Sequence, residues 1–245
     1  MPHVKAMDRT VLQISGPDRL TFLDGLLTRN IPEAGLGYAA LLSPQGKYLA
    51  DFLTFQDGTA CYLDVATALA PSLVQRLSMY KLRADVHIAD SERSVSAGLG
   101  PAPDGAMADP RPGMGWRHYG GAPSGDVDWD AIRVDHLIPE TGVELIPNES
   151  YILEMGFERL GGVDFKKGCY VGQEIVARMK HKTELRKGLA RIRIEGSAAP
   201  GTPITSGGRP AGTLHTVSGD TGLAYLRFDR AEDMVAGDAQ LTRDA

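Results

Sequence analysis

The feature that most limits the possible folds is a change of sequence pattern near Thr183. From Leu189 onward, apolar residues first alternate with charged ones, and glycines then recur at short intervals to the end of the chain. Such alternation is typical of half-buried β-strands, and closely spaced glycine turns join the strands of small barrels and sandwiches. The sequence therefore predicts two domains, residues 1–183 and an all-β domain over residues 184–245.

Residues 1–183 mix hairpins with amphipathic helices, which favours an α+β fold over a doubly wound parallel sheet. The predicted strands are Val11–Ile14, Tyr38–Ser43, Lys47–Phe55, Thr59–Val65 and Leu82–Ala89. The predicted helices are Leu20–Asn30, one that begins at Thr67, Asp126–Leu137, Tyr151–Leu160 and Gln173–Lys180.

The segment from Gly98 to Gly125 interrupts this pattern. It contains eight glycines and five prolines, the residues that most often end helices and strands. We expect an irregular excursion or a linker between two subdomains of the first domain.

Composition excludes several classes of protein. The chain has 245 residues and a net charge of -5, which argues against nucleic-acid binding, since that usually requires a basic surplus. One local basic segment, Lys180–Lys187, is the exception. No apolar run is long enough to cross a membrane. With only two cysteines, Cys61 and Cys169, and no apolar signal core at the N-terminus, we expect a reducing compartment, the cytoplasm.

Gly162–Arg178 carries the main chemical signal. Lys166 and Lys167 precede Cys169, and the Cys169–Val171 triplet lies between two glycines, just before the predicted helix. Nearby lysines and a helix N-terminus both favour the thiolate form of cysteine. The segment therefore predicts a fixed turn that presents a reactive thiol. The alternative, that Cys169 is a small buried residue, stays open because most lone cysteines are structural.

A Cys–His pair is the other way to activate this thiol. His181 is the nearest histidine, twelve residues further along the chain. An unbroken helix between the two residues would hold them well apart, so the sequence argues against the pair.

Several segments resemble one known family, the YgfZ-type folate-binding proteins. These are relatives of the glycine-cleavage T-protein (aminomethyltransferase), and the group includes the mitochondrial iron-sulfur assembly factors. The resemblance covers nearly the whole chain, and its most specific part is the Lys167–Glu174 octapeptide. The other matching segments are Phe22–Thr28, Leu42–Lys47, Arg133 with Leu145–Glu149, and Gly212–Leu226.

The resemblance implies a T-protein-like architecture of two interlocked α+β subdomains and a C-terminal β-barrel around a folate-sized opening. It implies that Lys167, Cys169 and Tyr170 are the functional residues. It also implies that tetrahydrofolate or a derivative binds, and we expect the contacts to come from Arg133, Tyr170, Gln173 and Glu174. No resident metal site is expected.

The function implied by the resemblance is the assembly, maintenance or repair of iron-sulfur clusters in client enzymes, including enzymes of tRNA modification. One cysteine cannot hold a cluster unaided, because clusters usually take four protein ligands. The remaining ligands would come from a client enzyme, another assembly factor, a thiol cofactor or a second chain.

Two alternatives stay open. The first is a folate-dependent aminomethyl or methyl transferase, for which Asp64 is a candidate acid or base; whether the chain turns over a substrate by itself is left undecided, although an accessory role is favoured. The second is an RNA-binding accessory of tRNA modification that uses the barrel and Lys180–Lys187.

Overall fold

The computed structural model of the chain describes residues 8–121, 127–181 and 184–244. The predicted domain boundary at Thr183, the predicted helix start at Asp126 and the end of the glycine-rich excursion at Gly125 lie outside the described residues.

An antiparallel sheet of five strands, in the order β2-β3-β4-β1-β5, is the centre of the first domain. The strand predictions are confirmed with small shifts at the ends, the largest being at β5, which starts five residues later than predicted. Apolar residues dominate the three strands β2, β3 and β4, as expected for a sheet covered on both faces. The strands are β1 (Arg9–Ser15), β2 (Gly37–Leu42), β3 (Tyr48–Gln56), β4 (Ala60–Ala66) and β5 (His87–Asp90).

Two helices, α1 (Arg19–Asp24) and α2 (Ala70–Lys81), cover one face of this sheet. A single turn of 3-10 helix at Thr67–Leu69 precedes α2. The core beneath them contains Leu23, Phe52 and Leu77, each with less than a tenth of its surface exposed. Helix α2 places its leucines at helical spacing on the sheet, as the sequence predicted.

The predicted helix Leu20–Asn30 is wrong beyond Asp24. The chain leaves the helix at Gly25 and pairs with the sheet instead, because Leu27 forms a bridge with Leu41 and the Thr28 amide donates to the Ala40 carbonyl at 3.0 Å. The helical spacing of leucines beyond Asp24 reflects burial in the core rather than a continuing helix.

The other face of the sheet is covered by residues 138–163, by Tyr170 and by helix α4 (Gln173–His181). The predicted helix Tyr151–Leu160 is wrong, since this segment is a series of turns. Gly156, in the middle of the segment, has a φ of +77°, and a left-handed residue there prevents a continuous α-helix. Gly161, with a φ of +68°, turns the chain again just after the segment.

The glycine-rich excursion is partly ordered by a small antiparallel sheet in the order β6-β8-β7. Helix α3 follows, with the Asp128 side chain accepting the Ala131 amide as an N-cap. These elements are β6 (Ser96–Gly98), β7 (Met107–Ala108), β8 (Trp116–His118) and α3 (Trp129–His136).

The C-terminal domain is a closed six-stranded barrel in the order β10-β11-β12-β9-β14-β13. Its interior is filled by apolar residues such as Ile192, Leu214 and Met234. The α+β fold with a terminal barrel is confirmed. The strands are β9 (Lys187–Glu195), β10 (Pro203–Ser206), β11 (Arg209–Ser218), β12 (Thr221–Arg227), β13 (Met234–Ala236) and β14 (Ala239–Arg243), with a 3-10 turn at Phe228–Arg230.

Within the described residues, none of the helices is both long and apolar enough to cross a membrane.

Candidate functional site

Cys169 lies in a loop, residues 162–172, that we call the signature loop. Helix α4 follows it directly. The loop is tied to the chain after α1 by backbone hydrogen bonds, from the Val171 amide to the Gly25 carbonyl at 3.2 Å and from the Asp164 amide to the Thr28 carbonyl at 3.0 Å. The Thr28 hydroxyl adds a third, donated to the Gly162 carbonyl at 2.6 Å. The loop is thus fixed by backbone contacts at both of its ends.

Lys167 fixes the middle of the loop. Its Nζ donates to the carbonyl oxygens of Asp24 and Leu27 at 2.8 and 2.7 Å, where α1 ends. Asp24 is the last residue of α1, and a lysine can satisfy such a carbonyl, which has no partner in the helix. Burial lowers the pKa of Lys167, while the charges of Asp24 and Asp164 act in the opposite direction. The ammonium group therefore serves as a strut between the loop and α1.

Gly172 fits the loop against the β2–β3 hairpin. Its φ is +85°, and a β-carbon there would lie 2.6 Å from the Ser43 carbonyl oxygen. The hairpin also requires a glycine at this contact, because a β-carbon on Gly46 would lie 2.7 Å from the β-carbon of Ile175 in α4. The fixed turn expected from the two glycines is present at Gly172. Gly168, in contrast, has no left-handed φ, and a β-carbon added to it would have no neighbour within 4 Å.

The thiol and the phenol of the signature have opposite environments. Cys169 is exposed, whereas Tyr170 is buried, with its ring centroid 5.3 Å from the Lys167 Nζ. Burial raises the pKa of Tyr170 to about 12, with a further contribution from Asp164. Tyr170 thus anchors the loop in the core as a neutral phenol, and the neighbouring cysteine is open to solvent.

The two polar residues after Gly172 begin α4. Gln173 donates from Nε2 to the Gly168 carbonyl at 3.4 Å, which closes the loop on itself. Glu174 pairs with Arg178 one helical turn later at 2.9 Å, and both side chains are largely exposed. The helix is nine residues long and rises about 13 Å at 1.5 Å per residue, and it runs unbroken between Cys169 and His181, as expected.

Arg133 lies on α3, with its guanidinium buried among carboxylates. It pairs with Glu144 at 2.5 Å and with Asp130 at 2.7 Å, and it donates to the Thr216 hydroxyl on β11 at 3.3 Å. Glu144 also accepts from Thr216 at 2.5 Å. This arrangement connects the first domain to the barrel. Arg133 therefore contributes to the contact between the two domains. The expected contact between Arg133 and folate stays a prediction.

A cleft of about 940 Å³ lies between the β2–β3 hairpin, the C-terminal end of α4 and the barrel. Lys47 sits over the Tyr151 ring, with its Nζ 3.5 Å from the ring centroid, and Tyr225 donates to Glu154 at 2.6 Å. None of Arg133, Tyr170, Gln173 or Glu174 lines it. The lining residues are Lys47, Glu149, Tyr151, Glu154, Met179, His181, Glu184, Leu185, Arg186, Lys187 and Tyr225.

Cys169 lines neither this cleft nor the three smaller ones described among the same residues. The thiol is exposed to solvent and contributes to none of these four clefts. The part of the chain that the structure describes also holds no group of three or more His, Cys, Asp or Glu side chains placed to bind a metal ion.

The residues of the basic segment Lys180–Lys187 do not form one continuous basic surface, because they make different contacts. Lys180 pairs with Glu158 at 2.5 Å. Arg186 and Lys187 face the large cleft together with Glu184. Lys182 lies outside the described residues.

A buried ionic network, which the sequence did not predict, lies on the second face of the sheet. Asp64 is fully buried on β4 and accepts from Arg9 at 2.6 Å and from Tyr119 at 3.0 Å, with Arg117 at 3.5 Å. Arg117 also reaches Asp109 at 3.1 Å. Asp64, the candidate acid or base of a transferase, thus has two arginines and a tyrosine as partners.

Asp109 extends this network to Arg111, which it binds at 2.7 Å. Burial opposes the ionisation of Asp109, but the charges of Arg111 and Arg117 outweigh burial and lower its pKa to about 2. Nearby, Asp51 accepts from Tyr48 and Thr141, each at 2.7 Å, and from Tyr38 at 3.0 Å. The available signal was a charge inside an apolar strand, at Asp51 in β3 and Asp64 in β4.

The chain is similar to a group of proteins that share one name. Residues 186–244 match the family described as "CAF17, C-terminal beta-barrel domain". The chain is 30% identical to the "Iron-sulfur cluster assembly factor IBA57, mitochondrial" of Mus musculus, over 90% of this chain and 76% of that protein. It is 31% identical to the Homo sapiens protein of the same name, over 89% and 75% of the two chains. A homologue in Phaeosphaeria nodorum is 28% identical over 96% and 71%.

Among solved structures, the fold is similar to that of the glycine cleavage system aminomethyltransferase T from Bartonella henselae. The TM-score is 0.76, with 10% sequence identity, and the match covers 98% of this chain and 84% of that chain. This confirms the predicted T-protein-like architecture and concerns the fold alone.

The prediction of a cytoplasmic location is wrong, because these relatives are named mitochondrial. The small number of cysteines does not distinguish between these two locations. A lack of disulfides indicates a reducing compartment, and this does not distinguish the cytosol from the mitochondrial matrix.

Proposed function

This chain belongs to the IBA57 family of iron-sulfur cluster assembly factors, and we propose that it assists the assembly or repair of clusters in client enzymes, with Cys169 as the residue that contacts the cluster. The family relationship supports the general role. The mitochondrial assembly-factor part of the sequence resemblance is thereby confirmed.

The observation that carries the role of Cys169 is an exposed thiol in a loop that is otherwise fixed. Backbone hydrogen bonds, the Lys167 strut and the buried Tyr170 ring all hold the loop, and none of them engages the thiol. Rigid support around an accessible group reduces the ordering cost of binding a ligand. Such a loop is suited to offering one thiolate to a cluster held mainly by other groups.

A single cysteine implies a shared site. Cys61 is buried in the first core, so it is not available as a second thiolate beside Cys169. Since clusters usually take four protein ligands, the other ligands come from a client enzyme, another assembly factor or a thiol cofactor. The open surface position of Cys169 supports this reading over chemistry inside a closed pocket.

Folate binding is a second, separate part of the proposal. A folate combines a flat, hydrogen-bonding pterin with glutamate carboxylates, so its site needs aromatic walls and cations. The cleft of about 940 Å³ offers Tyr151 and Tyr225 as walls, with Lys47, Arg186 and Lys187 as cations. We place a reduced folate there. The Cys169 thiol would then act apart from the folate, which favours an accessory role over a transferase.

Replacing Cys169 by alanine tests the main proposal. In cells that lack the native protein, we expect Cys169→Ala to lose the activity of cluster-dependent enzymes while the variant accumulates as a folded protein. Gly168→Ala is the matched control, because an added methyl there meets nothing within 4 Å and the thiol is retained. Full complementation by Cys169→Ala would contradict the proposal.

The folate part has its own test. A ligand that binds the native state must raise the melting temperature, and at 100 times its Kd it stabilises by about 2.7 kcal/mol. We expect reduced folate to do so with the native chain and to lose the effect in Tyr151→Ala. No shift at concentrations far above micromolar would count against a folate site, and a shift lost in Gln173→Ala instead would place the folate at the signature loop.

A further inference from the structure

The C-terminal end of α2 exposes apolar side chains that the rest of the molecule does not cover. Leu82 is 88% exposed and Met79 is 65% exposed, more than any other large hydrophobic residue in the described part of the chain. The apolar face of α2 itself, with Ala70, Leu73 and Leu77, is buried on the sheet. Met79, in the last turn of the helix, and Leu82, just after it, therefore do not belong to the face that packs on the sheet.

The backbone of Leu82 is unfavourable as well. Its φ and ψ are 43° and -102°, a region that bulky residues rarely adopt and that glycine tolerates. Strained residues of this kind persist mainly where the surroundings or a function require them. Since most of the Leu82 side chain contacts solvent, packing within the chain does not account for a leucine here.

A small cleft of about 250 Å³ adjoins this end of the helix. Met79 and Arg76 line it from α2, and Leu49 and Pro147 line it from the other side. Its volume suits one or two side chains rather than a small-molecule cofactor, for which pockets are usually about 300–1,000 Å³.

The charges along this end of α2 are mainly positive, and the first carboxylate after Leu82 in the chain is Asp85. Residues 67–84 contain Arg76, Lys81 and Arg83 and no aspartate or glutamate, in a chain whose net charge is -5. Within the described residues, no ion pair involves any of these three cations. An acidic partner would therefore find unpaired positive charge at its rim and apolar contacts at its centre, the usual arrangement of a protein interface.

We propose that Arg76, Met79, Lys81, Leu82 and Arg83, here called the α2 surface, dock a protein segment that presents an apolar side chain among carboxylates. The apolar side chain enters the cleft beside Met79, Leu82 packs on the segment, and the three cations pair with its acids. This docking is independent of Cys169 and of folate binding.

A lipid surface fits the same residues less well. Helices that lie on membranes bury a whole apolar face in the interface, and the apolar face of α2 already packs on the sheet. Two side chains and a concave cleft favour a protein segment.

The test uses a random linear-peptide display library, selected on the full chain and counter-selected on the Met79→Asp, Leu82→Asp double variant. We expect the selected peptides to share an apolar residue flanked by aspartate or glutamate. Their affinity, measured by fluorescence anisotropy, should fall at least about tenfold in an Arg76→Glu, Arg83→Glu variant, because reversed charges repel the acids. It should also weaken with salt.

Leu82→Gly separates docking from folding. Glycine adopts this backbone without the strain that leucine carries. We expect this relief to exceed the entropic cost of a glycine in the unfolded chain, so the melting temperature should rise, while peptide affinity should fall at least about tenfold, as for a central interface contact. The proposal is overturned if no acidic, surface-dependent peptide is enriched, or if Leu82→Gly lowers the melting temperature and leaves binding intact. Binding to phosphatidylserine vesicles that competes with the peptides and is stronger would also overturn it, in favour of a membrane.

Discussion

The signature loop and the buried ionic network use charged residues in opposite ways. In the loop, Lys167 binds backbone carbonyls and leaves the adjacent Cys169 thiol exposed. In the network, Asp64 and Asp109 are surrounded by arginines and tyrosines, and almost none of their side-chain surface faces solvent. A dense cluster of ionisable groups therefore need not be the reactive site. Here the reactive candidate is the group that its neighbours leave free.

The energetic consequences of the two regions should differ accordingly. Buried ion pairs contribute little net stability when they are intact, yet breaking one is costly because it leaves an unpaired buried charge. An exposed side chain contributes little to the free energy of unfolding, so its removal changes the stability little. The network should therefore respond to mutation through stability, and Cys169 through function.

The largest effect is expected for Asp64→Ala. The change leaves Arg9 and Arg117 buried without this carboxylate, which should cost about 3–5 kcal/mol of unfolding free energy. Urea unfolding measures it. Glu174→Ala is the control, since its ion pair with Arg178 is largely exposed and should have no measurable effect. Equal effects of the two changes would remove the distinction between the regions.

Gly172→Ala should come next, with a loss of about 3 kcal/mol. Its β-carbon would approach the Ser43 carbonyl to 2.6 Å, and its φ of +85° suits glycine alone. The matched change four residues earlier, Gly168→Ala, meets nothing within 4 Å. Thermal or urea unfolding of both variants compares them directly. A Gly172→Ala variant as stable as Gly168→Ala would mean that the loop is not fixed at the hairpin.

Acid should weaken the network over a defined range. The pKa of Asp109 falls from its ordinary value of 3.8 to about 2 on folding, so its stabilising contribution is complete above about pH 4 and is lost as the pH falls through about 2. The contribution is about 2 kcal/mol. Unfolding free energy measured from pH 5 to pH 2 should drop more steeply for the native chain than for Asp109→Asn. If the free energy of unfolding fell with the same slope in both proteins, the arginines would not lower the pKa of Asp109.

The smallest change in stability is expected for Cys169→Ala. The thiol is exposed, so its loss should alter the unfolding free energy by less than about 0.5 kcal/mol. Urea unfolding provides the value. A loss of 2 kcal/mol or more would give Cys169 a structural role and weaken the contrast with the network.

The sequence identified the signature loop because its evidence is local. Glycine, lysine and the start of α4 lie within a few residues of Cys169, and the strands carry clear apolar patterns. Two helices were predicted wrongly for a physical reason. An amphipathic pattern marks the buried face but not the conformation, and in the structure Thr28 pairs with the sheet while Gly156 and Gly161 turn the chain.

The network was missed because its members are distant in the sequence. Asp64 on β4 meets Arg9 on β1 and Arg117 on β8 only after the sheets have packed together. Arg133 shows the same limit. Its residue type fits a carboxylate ligand, but only the folded chain shows that Glu144 and Asp130 already bind it.

Iron and sulfide bound through Cys169 give the most direct test of its role. The chain and its Cys169→Ala variant would be isolated anaerobically, together with their bound partners, and iron and acid-labile sulfide measured per chain. We predict that both elements accompany the native chain and fall at least about tenfold in the variant, since the ligand bond is lost. Equal iron and sulfide in the two proteins would contradict a role for Cys169 as a cluster ligand.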